Sequence, residues 1–181
     1  MAEGPDFVDA WLTARAELER VFENLDRQEL VLFAEELAGA SGRVFFTGQG
    51  RSGLAAQMAA MRFMHIGKTA HFAGEATSPA VRRGDALVIV SGSGKTPVSV
   101  EFGKVAKAEG ASVLLVTSQR GSPLSDLADQ KVTIPVAGTV QFGGTLFEQA
   151  ALVLLDSVVL HMMSALKDPF ALMWRNHTNL Q

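Results

Sequence analysis

Two glycine-rich turns constrain this chain more than any other feature. Gly48-Gln49-Gly50-Arg51-Ser52-Gly53 follows the apolar run Val44-Phe45-Phe46, and Ser91-Gly92-Ser93-Gly94-Lys95-Thr96 follows Leu87-Val88-Ile89-Val90. Short apolar runs that end in glycine and give way to helical spacing read as parallel strands buried on both faces. Both turns then lie at the carboxyl edge of one sheet, and each opens a helix. There, glycines let backbone N–H groups approach a ligand, and a helix N-terminus adds about half a positive charge. Ser52, Ser91, Ser93 and Thr96 add hydroxyl donors, a set suited to a phosphate monoester held without a metal. The expected ligand is a phosphorylated small molecule.

Upstream of the first turn, Phe7, Trp11, Ala14, Leu18, Val21 and Leu25 recur every three or four positions and predict a helix with one apolar stripe. Asp26 followed by Glu29 has capping-box spacing, so a second helix is expected to run to about Ala40. Residues 5–41 are thus read as a helical extension packed on the sheet or on a neighbouring subunit. Strands are expected at 44–46, 69–72, 86–90, 113–116 and 132–135, with helices at 53–66 and from Pro97 to about Ala108. Ser122-Pro123 starts a short helix. This alternation predicts a doubly wound five-stranded parallel α/β sheet of flavodoxin-like order, preceded by a helical pair.

A further helix, about Thr145 to Leu166, is apolar on nearly all sides but interrupted by Glu148, Gln149, Asp156 and His161. It reads as buried in the fold or in a subunit interface, so a homo-oligomer is expected. At 181 residues and 48% hydrophobic, the chain has enough apolar material for one compact domain. A net charge of -3 without a basic run argues against a nucleic-acid surface, and no juxtamembrane basic cluster appears. With no cysteine there is no disulfide or thiolate chemistry, and the start, Met1-Ala2-Glu3-Gly4-Pro5-Asp6, is unlike a signal peptide. The expected compartment is the cytoplasm.

Each motif also has a competing reading. Gly48, Gly50 and Gly53 satisfy the dinucleotide fingerprint, and Glu75 lies about where a ribose-binding acid would. Against this, Arg51 and Ser52 place charge and a hydroxyl inside the turn, and the second glycine turn is superfluous for such a cofactor. Gly94-Lys95-Thr96 resembles the end of a P-loop, but Ile89 stands where that loop needs glycine. Thr145 and Glu148 have capping-box spacing, so Glu148 is either a local cap or a general base beside Gly143-Gly144. Thr96 and Ser122 read as helix caps or, for Thr96, as a ligand contact. His65 and His71 fit structural roles as well as catalytic ones, and the four histidines show no metal-ligand spacing. Arg51, between two glycine turns, would pair well with phosphate.

The chain is similar to the sugar isomerase (SIS) domain family over nearly its whole length. The motifs that carry the resemblance are the two glycine turns, Met61-Arg62-Phe63-Met64-His65-Ile66-Gly67, Gly74-Glu75-Ala76-Thr77-Ser78-Pro79 and Gly144-Thr145-Leu146-Phe147-Glu148. The ending, Asn176-His177-Thr178-Asn179-Leu180, is also similar. The MRFMHIG and GEATSP stretches point to its hexuloisomerase branch. The resemblance implies a single SIS domain spanning 1–181. The implied reaction converts D-arabino-hex-3-ulose 6-phosphate to fructose 6-phosphate, beside hexulose-phosphate synthase in formaldehyde assimilation by the ribulose monophosphate route. It assigns Glu148 as catalytic base and His65 as a second active-site group, with a homotetramer and no cofactor. Gly50, Arg51, Ser52, Ser91, Gly92, Ser93, Gly94, Lys95 and Thr96 form the expected substrate-binding set. Gln149 stands where the family commonly has a second Glu, and Asn176 replaces a basic residue. Two other readings remain: a sugar-phosphate sensor without chemistry, and an isomerase acting on an aldose-ketose pair.

Overall fold

A computed structural model describes residues 7–180; the acidic start and the first two positions of the expected 5–41 extension lie outside the described residues. The elements in chain order are α1 (Phe7–Glu23), α2 (Arg27–Gly39), β1 (Val44–Gly48), α3 (Arg51–His65), β2 (Ala70–Phe72) and β3 (Ala86–Val90). They continue with α4 (Pro97–Ala108), β4 (Ser112–Thr117), α5 (Pro123–Leu127), β5 (Gln130–Thr133), α6 (Thr145–Met163) and α7 (Pro169–Asn176). The five strands form one parallel sheet in the order β2-β1-β3-β4-β5, the doubly wound arrangement that the alternating pattern predicts.

β1 and β3 are buried at every position, and β4 at all but its first, because helices cover both faces of the sheet. One face packs Val44, Phe46, Val88 and Leu114 against α3 and α6, with Phe63, Ala151, Leu155 and Val158 filling the layer. The opposite face packs Phe45, Leu87, Ile89 and Leu115 against α4 and α5. The chain runs from β1 to β2 on one side and from β3 to β4 on the other, so winding reverses between β1 and β3. Their register pairs Gly48 with Val90, which brings both glycine turns out of the sheet at one level. Doubly wound sheets leave a crevice for ligands at such a reversal.

Several expectations change in detail. The connection from β2 to β3 contains no helix, since Gly74, Pro79 and Gly84 punctuate residues 73–85 and leave no uninterrupted helical run. α3 starts at Arg51, so the first glycine turn itself supplies the first helical residues. α6 is buried on one side only: Leu146, Ala150, Leu154 and Val158 face α3 and α1, while Leu160 is 68% exposed. Asp26 caps α2 through hydrogen bonds from Gln28 N and Glu29 N. The Glu29 carboxylate does not close the expected box. It accepts from Thr133 N at 2.7 Å and fastens the helix to edge strand β5.

Candidate active site

At the β1–β3 reversal, a cavity of about 220 Å³ opens between the N-termini of α3, α4 and α6. Ser52 comes from the first turn; Ser91, Gly92, Ser93 and Thr96 come from the second; Glu148 closes the third side. The first turn packs tightly. A Cβ on Gly53 would lie 2.7 Å from the Gly48 carbonyl oxygen, so glycine there serves the close approach of α3 to β1. Gly92 leaves room for the Phe147 ring, which a Cβ would meet at 3.1 Å.

The two cap-like hydroxyls separate by role. Ser122 Oγ accepts from Ser125 N at 3.1 Å and caps α5. Thr96 holds the corresponding position on α4 but makes no side-chain cap bond; its Oγ1 lies 3.4 Å from Ser91 Oγ and lines the cavity. Ser93 Oγ accepts from Lys95 N at 3.2 Å, which folds the turn back on itself. Hydroxyls and the α4 N-terminus thus converge on one spot, an arrangement suited to a phosphate group.

Glu148 is not a local cap. Gly144 is the N-cap of α6, and Thr145 Oγ1 donates to the Phe142 carbonyl at 2.7 Å. The Glu148 carboxylate, 16% exposed, pairs instead with the Arg51 guanidinium of the first glycine turn. A Cβ on Gly144 would stand 3.2 Å from Glu148 Oε1, so glycine there keeps space beside the carboxylate. A fixed, accessible carboxylate next to a phosphate cradle can remove a proton from a bound sugar phosphate.

The other expected site residues fall elsewhere. Gly50, Gly94 and Lys95 shape the turns without lining the cavity, and Arg51 meets the Glu148 carboxylate rather than the serine hydroxyls. His65 ends α3, whose first residue is Arg51; at 1.5 Å of rise per residue, about 21 Å of helix separates His65 from the Arg51–Glu148 pair. It is 3% exposed and stacks on His177 at 5.3 Å between centroids. Asn176 Nδ2 donates to the His65 carbonyl at 3.0 Å. Burial, then the nearby Arg62 and His177 charges, push the His65 pKa down and favour the neutral ring. Arg62 can only donate to Nδ1, at 3.4 Å, which leaves the ring proton on Nε2. His71 stacks on Phe45 and is structural. Gln149 does not line the cavity, and its buried Oε1 has no hydrogen-bond partner among the described residues.

Gln49 and Phe147 line the cavity although neither stood out as a binding residue; Phe147 was legible only as part of the stretch leading to Glu148. A second cleft, about 370 Å³, lies near Glu35, Glu36 and Asp85 at the opposite edge of the sheet. Its carboxylates oppose a phosphate, so the smaller cavity is the better candidate.

Residues 36–163 match the SIS domain family. The chain is 36% identical to a 3-hexulose-6-phosphate isomerase of Mycobacterium gastri, over 98% of this chain and 93% of that protein. It is 34% identical to a 3-hexulose-6-phosphate isomerase of Bacillus subtilis, over 82% and 86% respectively. Among solved structures, it resembles a Methanococcus jannaschii protein whose 2.0 Å crystal structure infers the function of a 3-hexulose-6-phosphate isomerase. The TM-score is 0.83 and the identity 28%, covering 98% of this chain and all of that one.

Proposed function

The chain belongs to the SIS domain family, and from that premise we propose that it converts D-arabino-hex-3-ulose 6-phosphate to fructose 6-phosphate. It is a phosphosugar isomerase of the ribulose monophosphate route, in keeping with its relatives. The observation that carries the residue assignment is the meeting of the serine-glycine cradle and Glu148 in one crevice. Ser91, Ser93 and Thr96, with Ser52 from the facing turn, hold the phosphate at the α4 N-terminus. This directs the carbon chain toward Glu148.

Moving the ketone from C3 to C2 needs no net oxidation. Glu148 takes the C2 proton, the electron pair forms the C2=C3 bond, and O3 gains a proton. The resulting enediol then loses the O2 proton as C3 regains one from Glu148, leaving the carbonyl at C2. One carboxylate serves both transfers if it stands near both carbons. Arg51 is the counter-ion of that carboxylate and donates to the oxygens that carry charge in the enediolate. The open-chain 3-ketose cannot close a five- or six-membered ring through its phosphorylated 6-oxygen, so no ring-opening base is required.

His65 passes protons between O2 and O3 in a neighbouring subunit's site, because one α3 is too long to bring it to its own Glu148, and the His177 ring stacked on it moves aside to expose it. A homotetramer is supported by exposed apolar side chains on α3 and α6, among them Leu54, Met58, Met61 and Leu160. The enzyme works in the cytoplasm beside hexulose-phosphate synthase, which supplies its substrate, and residues 7–41 complete the single domain. The test is fructose 6-phosphate formation by the wild type and by Glu148→Gln, with EDTA present. The variant should lose roughly 10²- to 10⁴-fold in turnover while still binding fructose 6-phosphate. Full activity in Glu148→Gln refutes the base. No wild-type turnover, with fructose 6-phosphate still bound, points to a sensor instead.

A further inference from the structure

We propose that Glu17, on α1, is a positioning residue for Glu148, acting through the strap of residues 136–144 that leads into α6. The inference rests on Glu148 as the base. Glu17 is 4% exposed, and a buried carboxylate costs several kcal/mol unless its oxygens are bonded. Its oxygens are fully engaged by the strap: Thr139 Oγ1, Gln141 Nε2 and Val140 N each donate to it at 2.8 Å. Burial pushes the Glu17 carboxyl up, but these bonds and the Arg20 charge outweigh it and hold the pKa below the ordinary value.

Apolar packing does little for the strap, since Val140 is 80% and Phe142 94% exposed. Gly138 and Gly143 flank the anchored stretch with φ of 64° and 59°, conformations that other residues rarely adopt. Without Glu17 the stretch between them would pivot. Beyond it, the Phe142 carbonyl accepts from Thr145 N and Oγ1, and the Gly144 carbonyl accepts from Glu148 N at 2.9 Å. Hydrogen bonds and short backbone thus connect the Glu17 carboxylate to the turn that carries the base. The phosphate cradle is built from Ser52 on α3 and the turn between β3 and α4, and among the described residues no side-chain hydrogen bond joins its hydroxyls to the strap.

The experiment is a double-mutant cycle on the full-length enzyme. Glu17→Leu fills a similar volume without an acceptor, and Glu17→Gln keeps one. We expect Glu17→Leu to lower kcat roughly tenfold or more through a displaced base, with KM within about twofold and Glu17→Gln intermediate. In the Glu148→Gln background the same change should cost less than about twofold, because the group it positions is already gone. An equal fractional loss in both backgrounds, a rise confined to KM, or unchanged kcat overturns the proposal. If Glu17→Leu does not fold, the cycle is read with Glu17→Gln. A fully active Glu148→Gln sinks the base assignment and this inference together, whereas additive losses beside an inactive Glu148→Gln sink only this inference.

Discussion

Thr96 and Ser122 hold the same position on two successive helices, yet only Ser122 caps its helix, so paired substitutions should separate binding from stability. Thr96→Val keeps the volume and removes the hydroxyl. No cap bond is lost, only a 3.4 Å contact with Ser91 Oγ, so folding stability should change by no more than about 0.5 kcal/mol. A hydroxyl bonded to a charged phosphate contributes about 1.5–3 kcal/mol. At about 1.36 kcal/mol per tenfold, its loss weakens binding roughly 13- to 160-fold. Ser122→Ala should do the reverse. It gives up the bond from Ser125 N, costs about 1 kcal/mol, and lowers the melting temperature by about 2–4 °C for a domain of this size. The assay is the inhibition constant of inorganic phosphate and the KM of the sugar phosphate, beside thermal unfolding of each variant. If Thr96→Val bound phosphate within about twofold of wild type, the cradle would lie elsewhere. The same would follow if it melted like Ser122→Ala with binding unchanged.

Asp85, 4% exposed, accepts from Arg43 N at 2.7 Å, Arg43 Nη2 at 2.8 Å and Arg82 N at 2.8 Å. Burial raises its pKa, but these bonds prevail and hold it below 3.8. The unfolded chain therefore binds the proton first on acidification. The stabilisation is present above pH 3.8 and is lost as pH falls through the lower folded value. Asp85→Asn should cost about 3 kcal/mol near neutrality and flatten this acid dependence in urea titrations; an unchanged pH slope would contradict the assignment. For the shared site, Glu148→Gln and His65→Asn are each expected to be inactive. Oligomers co-assembled from both should regain about a quarter of wild-type turnover, the share of sites drawing an intact group from each copy. No recovery in verified mixed oligomers would place His65 outside the reaction, as would near-normal turnover by His65→Asn alone.

The sequence by itself determined the sheet, its order and the place of the crevice. Strands buried on both faces must be continuous apolar runs, and Val44-Phe45-Phe46 and Leu87-Val88-Ile89-Val90 are such runs ending in glycine turns. That these hydroxyls line the crevice was legible for the same local reason, since turn, serine and helix start are adjacent in the chain. Which hydroxyl is a cap and which lines the crevice was not legible, because Thr96 and Ser122 have the same local pattern and differ only in what surrounds them. The partner of Glu148 stands 97 positions away, and those of Glu17 lie 122 to 124 positions away. The spacing from Thr145 to Glu148 allowed a local bond, which the fold replaces with Arg51. The same folding separates His65 from Glu148, since α3 carries its two ends to opposite sides of the domain. Local propensity and periodicity act within a turn or two, whereas a buried carboxylate takes whichever donors the packed layers bring to it.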